Sequence, residues 1–169
     1  MRVLISENEI QKRIQELGRE LSEKLPADIL LVGILKGSFL FFADLVRTIS
    51  GNPEIQFIQA SSYGSATVSS GNVDLQISNK ISFSGKHILI IEDIIDTGLT
   101  LDKILADIQK TSPASISICS LLIKKGDHKE KYPSLFYGFE IEDLFVVGYG
   151  LDYNEKYRTL RDIFILEST

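Results

Sequence analysis

The chain has 169 residues, a formal net charge of −5 and one cysteine. That length suits a single domain with a real core. The acidic balance argues against a nucleic-acid footprint, which needs a basic face, and no run of about 18 apolar residues offers a membrane span.

Residues 1–20 carry acidic and amide side chains throughout, without an apolar run or a small-residue cleavage site, so no signal peptide is expected. Ile10, Ile14, Leu17 and Leu21 recur at three- and four-residue spacing, which predicts an amphipathic helix over 7–24, ended by Pro26. Residues 29–35 are a short apolar run, read as a buried strand broken by Gly37 and Ser38. Ser38 is placed to cap a helix over 39–49. Gly51, Asn52 and Pro53 turn the chain into 54–61, where Ile55, Phe57 and Gln59 alternate as in a strand. Residues 63–72, rich in Gly, Ser and Thr, predict a mobile loop. Val73, Leu75 and Ile77 alternate in a strand over 73–78, and Gly85 and Lys86 lead into 87–91, the most apolar strand. Residues 92–100 precede a helix through Lys110, and 115–123 form another buried strand. Cys119, within that strand and without a partner for a disulfide or a CxxC zinc pair, reads as a core thiol in a reducing compartment. Short strand-like runs close the chain at 137–140, 145–148 and 163–166. This order predicts an α/β fold with a mostly parallel central sheet flanked by helices.

The strongest local signal is Ile88-Leu-Ile-Ile-Glu-Asp-Ile-Ile-Asp-Thr-Gly-Leu-Thr. A hydrophobic strand ends in Glu92 and Asp93, and a loop with Asp96, Thr97, Gly98 and Thr100 opens a helix. Ligands of open α/β sheets sit at the carboxyl ends of strands, and a helix N-terminus offers unpaired N–H groups to a phosphate. Gly98 permits close backbone approach. Three acids beside a phosphate cradle would repel a bare anion; they suit a ligand that also presents a diol or carries Mg²⁺, as a ribose phosphate does. The loop is neither a Walker A nor GxGxxG. An acidic turn with a capped helix is the other reading of the same residues.

Residues 91–100 resemble the PRPP-binding motif of the type I phosphoribosyltransferases, in particular the hypoxanthine-guanine branch, whose loop begins with an aspartate at the place of Asp96. Leu35-Lys-Gly-Ser, Ser62-Tyr63, Leu121-Leu-Ile-Lys124, Gly138-Phe-Glu and Phe145-Val-Val-Gly-Tyr-Gly-Leu-Asp-Tyr-Asn-Glu-Lys-Tyr-Arg158 resemble the same branch, in unbroken order from about residue 5 to about 166. The resemblance implies a core of about 27–125 with a small hood subdomain from the N-terminal segment and about 133–169. It also implies Mg²⁺-dependent transfer of phosphoribose from phosphoribosyl pyrophosphate (PRPP) to a 6-oxopurine, in a cytoplasmic homodimer or homotetramer without nucleic-acid or membrane partners.

Roles follow from the resemblance. Glu92 and Asp93 would bind the ribose hydroxyls directly or through Mg²⁺; Thr97, Gly98, Leu99 and Thr100 would hold the 5′-phosphate. Asp96 would take the N7 proton, made more basic by partial burial; a plain helix cap is its alternative. Lys36 and Gly37 would bind pyrophosphate across a cis Leu35–Lys36 peptide, though Lys36 otherwise reads as a surface lysine. Lys124 would donate to the purine O6, with Lys125 a solvated neighbour. Phe145 would stack on the base, its alternative being the core, and the Val146 carbonyl would accept from an exocyclic amine. Asp152 would hold a second metal ion or pyrophosphate, and Arg158 pyrophosphate, with a surface salt bridge its alternative. Ser62 and Tyr63 would open a closing flap, which otherwise reads as a long hairpin.

Two departures stand out. Leu99 offers only backbone where some members have lysine, and 126–132 matches poorly, with His128 read as a solvated loop residue. Rival readings are a xanthine- or guanine-preferring transferase, a PRPP-sensing RNA-binding regulator, which would want a basic patch, and a plain nucleotide-binding module, which would not need Lys124, Phe145 and Asp152 together.

Overall fold

A computed structural model describes residues 1–62, 73–76 and 82–167. The elements are β1 (Arg2–Ile5), α1 (Glu7–Lys24), β2 (Leu30–Leu35), α2 (Phe39–Val46), β3 (Glu54–Ser62), β4 (Val73–Gln76), β5 (His87–Ile95), α3 (Leu99–Gln109), β6 (Ser115–Lys124), α4 (His128–Lys131), β7 (Leu135–Ile141), β8 (Val146–Val147) and β9 (Ile163–Ile165). Six strands form one sheet in the order β4-β3-β2-β5-β6-β7, and β1-β9-β8 form a second. In the larger sheet β3, β2, β5, β6 and β7 pair in parallel, while β4 adds an antiparallel edge. The fold is α/β, with the mostly parallel sheet that the strand–helix order predicts.

Strands covered on both faces have no polar side to alternate with, so they read as continuous apolar runs. On one face Leu31, Leu89, Ile91, Cys119 and Leu121 pack against α1 and α2 through Ile10, Ile14, Leu17, Phe41 and Phe42. On the other Leu30, Val32, Ile88, Ile90 and Ile118 meet α3 through Leu101, Ile104 and Ile108. Cys119 is fully buried, and burial pushes its thiol pKa up. Among the described residues, no helix is long and apolar enough to cross a membrane.

α1 has the predicted bounds because its start is chemically marked: Ser6 and Glu9 form a reciprocal capping box. α2 is shorter than predicted, and Ser38 does not cap it; its hydroxyl donates instead to the Ile34 carbonyl at 2.5 Å. β5 runs past residue 91, so Glu92 and Asp93 lie on the strand and not after it, held by pairing of Glu92 with Ser120 and Ile94 with Leu122. In β3 the alternating Ile55 and Phe57 are exposed while Ile58 is buried, because alternation marks a strand without saying which face the core takes. β1 and α4 have no counterpart in the sequence reading. The whole predicted loop over 63–72, Tyr63 included, and residues 77–78 lie outside the described residues.

The helical layer is closely fitted where α1 crosses the turn after α2. A Cβ on Gly18 would lie 2.0 Å from Thr48 Oγ1 and 2.9 Å from the Thr48 carbonyl oxygen. Gly18→Ala would gain roughly 1 kcal/mol of helix propensity and lose about 1–3 kcal/mol to overpacking. A lower Tm than the native chain's is expected in thermal melts, and a higher one would contradict this packing.

Candidate active site

The parallel pairing of β2, β5 and β6 brings their carboxyl ends to one edge of the sheet. From β2 come Lys36, which follows Leu35 through a cis peptide, and Gly37. From β5 come Glu92, Asp93 and the loop through Thr100, and from β6 comes Lys124. Asp93 faces the β2 end: a Cβ on Gly37 would lie 1.7 Å from Asp93 Oδ2. Only glycine leaves room for that carboxylate, which explains the Lys-Gly pair in physical terms.

Glu92, Asp96, Thr97, Gly98, Leu99 and Thr100 line one small cavity of about 90 Å³ at the start of α3. Gly98 is the N-cap residue at φ +80°, and no side chain caps the helix. Its left-handed conformation suits glycine. The Leu99 N–H has only a long 3.4 Å bond to Thr97 Oγ1. The first turn therefore keeps its donors for a small anion. Leu99 is 67% exposed and offers only backbone there.

Acids crowd this cradle. Glu92 Oε1 accepts from the Asp93 N–H at 3.1 Å, and Asp93 Oδ1 from the Ile94 N–H at 2.9 Å. Burial raises the Glu92 carboxyl well above the ordinary carboxylate range, and Asp93 adds to this through a shared hydrogen bond and like charge. Among the described residues, no three His, Cys, Asp or Glu side chains cluster closely enough to form a metal cage. The Glu92–Asp93 pair suits instead a hard cation that takes one or two carboxylates and fills its shell with ligand oxygens and water.

Asp96 departs from the expectation of burial. Its side chain is 59% exposed, and it is ion-paired with Lys124 Nζ at 3.0 Å. Lys124 is the enclosed partner, with its side chain only 14% exposed, and it also donates to Asp143 Oδ1 at 2.6 Å. Desolvation works against its charge, but the bonds to Asp143 and Asp96 win and raise its pKa. Two of the three ammonium donors are thus engaged, and one is left for a ligand. Lys125 pairs outward with Glu142 and is 60% exposed, a solvated neighbour as expected.

Beyond β7, Arg158 Nη2 contacts Asp152 Oδ1 at 2.9 Å and Glu155 Oε1 at 3.2 Å, and Glu155 also holds Lys36 at 2.9 Å. Arg158 Nε is buried without a hydrogen-bond partner among the described residues. A Cβ on Gly150 would lie 2.2 Å from the Gly37 carbonyl oxygen, so the two segments lie backbone to backbone. Phe145 is 54% exposed and meets Tyr153 edge-on at 5.6 Å, a ring free on a face and not a core residue. Val146 opens β8. Ser62 ends β3, and Tyr63 lies outside the described residues.

Sequence reasoning missed Asp143, Glu155 and Tyr153. Glu155 and Tyr153 lie inside the C-terminal motif but carried no chemistry until folded. Asp143 precedes that motif, and beside Glu140 and Glu142 it read as one more acid of a solvated turn. His128 is buried, not solvated: α4 turns its ring inward, parallel to Tyr132.

Comparison with known proteins agrees with this geometry. Residues 6–154 match the family described as phosphoribosyl transferase domain. The hypoxanthine-guanine phosphoribosyltransferase of Bacillus subtilis is 48% identical over 167 residues, covering 98% of this chain and 93% of that one. The hypoxanthine phosphoribosyltransferase of Haemophilus influenzae is 45% identical, covering 94% and 90%. Among solved structures, a Staphylococcus aureus hypoxanthine phosphoribosyltransferase superposes with a TM-score of 0.89 at 40% identity, covering 99% of this chain and 91% of that one.

The raised Glu92 carboxyl has a measurable consequence. It binds its proton more tightly in the fold than in the unfolded chain. Its contribution to stability is therefore full below the ordinary glutamate pKa of about 4.3 and is lost as pH rises through the raised value. Without ligand or divalent ion, Glu92→Gln is expected to melt above the native chain at pH ~8, with the gap closing toward pH ~4. An equal or lower melting point at the higher pH would contradict the assignment.

Proposed function

The chain belongs to the phosphoribosyl transferase domain family, and we propose that it is a purine-salvage enzyme that transfers the 5-phosphoribosyl group from PRPP to hypoxanthine or guanine, giving IMP or GMP and pyrophosphate. The observation that carries this reading is the Lys124–Asp96 contact at 3.0 Å beside the uncapped N-terminus of α3. It sets a cationic donor for a base carbonyl and a carboxylate for a base proton next to a phosphate cradle.

In the reaction the bond from ribose C1 to pyrophosphate breaks, and the leaving group takes the electron pair. Purine N9 attacks C1 from the opposite face, and the N7 proton passes to Asp96. Thr97, Thr100 and the backbone of Gly98 and Leu99 hold the 5′-phosphate. Glu92 and Asp93 hold the ribose hydroxyls. Lys36, Gly37 and Arg158 take the pyrophosphate, the buried Arg158 Nε supporting a role that asks for another acceptor. Lys124 donates to O6, which favours a 6-oxo over a 6-amino base. Phe145 offers its exposed ring to the base plane, and the Val146 carbonyl accepts from the exocyclic amine of guanine. When Asp96 becomes neutral on taking the proton, Asp143 still balances the Lys124 charge.

Mg²⁺ fits the acid-rich edge, with Glu92 and Asp93 as its holders near the ribose and Asp152 near the pyrophosphate; it would neutralise phosphate charge. The exposed Phe39, Ile55 and Phe57 support assembly as a homodimer or homotetramer. The N-terminal segment and residues of about 133–169 are read as a hood over a core of about 27–125, in a cytoplasmic enzyme acting on small molecules.

Pyrophosphate release from PRPP with hypoxanthine, guanine, xanthine, adenine, uracil or orotate tests the assignment. Turnover is expected with the first two and abolished by EDTA; adenine- or orotate-dependent release, or activity that resists chelation, would overturn it. Asp96→Asn is expected to lower kcat by about 10²–10⁴ with little change in the KM for PRPP. Undiminished kcat would remove Asp96 from the mechanism.

A further inference from the structure

The cavity at the start of α3 is lined by Glu92 and Asp96 and by no lysine or arginine. A third acid stands close behind it. Asp102 lies in the first turn of α3, with its N–H bonded to the Gly98 carbonyl at 2.8 Å. Helical side chains lean toward the N-terminus, so its carboxylate lies toward the positive end of the helix. An anion there is favourable to the helix itself, but it competes with any phosphate for the same positive end.

Asp102 does not stand alone. Lys131 Nζ meets its Oδ2 at 2.5 Å, and Tyr132 Oη donates to its Oδ1 at 2.7 Å. Tyr132 is 5% exposed, and its hydroxyl also lies 3.4 Å from the Gly98 carbonyl oxygen. A Cβ on Gly98 would lie 2.5 Å from Tyr132 Oη and 3.5 Å from Lys131 Nζ. These two residues, at the end of α4 and just after it, press against the glycine on which the cradle turns. Burial opposes the Asp102 charge, but the bonds from Lys131 and Tyr132 outweigh it and hold the carboxyl below its ordinary range. Burial, with Asp102 adding to it, pushes the Tyr132 phenol up to about 12, so it stays a neutral donor.

We infer that Lys131 and Tyr132 are positioning residues for the 5′-phosphate: Lys131 cancels the Asp102 charge at the head of α3, and Tyr132 seats Gly98 so that the first-turn N–H groups face the ligand. The inference rests on the phosphoribosyltransferase reading and adds to it a part from 126–132, a stretch that matches the family poorly. Neither residue lines the cavity at the start of α3. Their effect is confined to ligands that carry the phosphate, which sets it apart from a general loss of structure.

The test is steady-state kinetics of the full chain and of Lys131→Gln, Lys131→Arg and the Asp102→Asn/Lys131→Gln pair, with IMP and inosine as competing inhibitors. Lys131→Gln is expected to raise the KM for PRPP and the inhibition constant of IMP by about tenfold at low salt. The KM for hypoxanthine and the weaker inhibition by inosine, which lacks the phosphate, should hold within about twofold. Lys131→Arg should restore PRPP binding, and so should the double variant, since removing Asp102 removes the charge to be cancelled. A Lys131→Gln enzyme with native KM for PRPP, or a double variant as impaired as the single one, would overturn the inference while leaving the transferase reading intact. A native chain that releases no pyrophosphate would sink the transferase reading and this one with it.

Discussion

Parallel pairing of β2, β5 and β6 is the constraint from which the site follows. Parallel strands end at the same edge, so Lys36, the stretch 92–100 and Lys124 meet although they are far apart in the chain. The register also decides which face each acid serves. Asp93 turns to the α2 side, against Gly37, while Glu92 lines the cradle with α3. A slip of one residue would exchange the faces, place an isoleucine where one carboxylate stands and carry the other acid to the wrong side of the sheet. Burial of both faces, with Leu31, Leu89 and Cys119 on one and Leu30, Ile88 and Ile118 on the other, holds that register.

Charge at the site is arranged in pre-formed pairs. Lys124 lies between Asp96 and Asp143, Arg158 between Asp152 and Glu155, and Lys36 against Glu155. Exposed pairs of this kind add little to stability, on the order of 0–1 kcal/mol each. Their value is geometric: long side chains are held near the positions where a ligand needs them, so less conformational freedom is lost on binding. An arriving anion then exchanges one partner for another and does not have to order a free side chain. Such an arrangement suits an acidic chain that handles an acidic substrate, because Lys36, Lys124 and Arg158 are each held by an acid before the ligand arrives.

What was legible in the sequence follows the range of the interactions that fix each part. α1 was read to the residue because its period and its capping box are local. The buried strands were legible because covering both faces leaves uninterrupted apolar runs. β5 was cut short because Glu92 and Asp93 look like an ending, yet pairing with β6 carries the strand through them. β1 and α4 have four residues each, and β1 exists only through antiparallel pairing with β9 at the other end of the chain. Asp143 and Lys131 were invisible for the same reason: each matters through a partner far off in sequence. Asp96 was found as a residue but not as an environment, because exposure is set by how loops stack around the sheet edge.

The segment 148–158 shows how the scaffold sustains a site that local preferences alone would not build. Tyr149, Asn154, Glu155 and Tyr157 all have positive φ, a conformation that non-glycine residues adopt at a cost. Backbone bonds from Tyr149 to Leu160 and from Gly150 to Arg158 fold the segment on itself. Its anchor lies elsewhere: the buried Tyr149 hydroxyl donates to Asp44 on α2 at 2.5 Å, and Gln11 on α1 donates to the same oxygen at 2.9 Å. The helices that cover the sheet therefore also hold the turn that carries Asp152 and Arg158. Gly150 against Gly37 then sets that turn beside the end of β2. The strained backbone, the Asp152–Arg158 side of the site and the packing of α1 on α2 are thus linked through one tyrosine hydroxyl, which can hold the turn only because the helices beneath it are already in place.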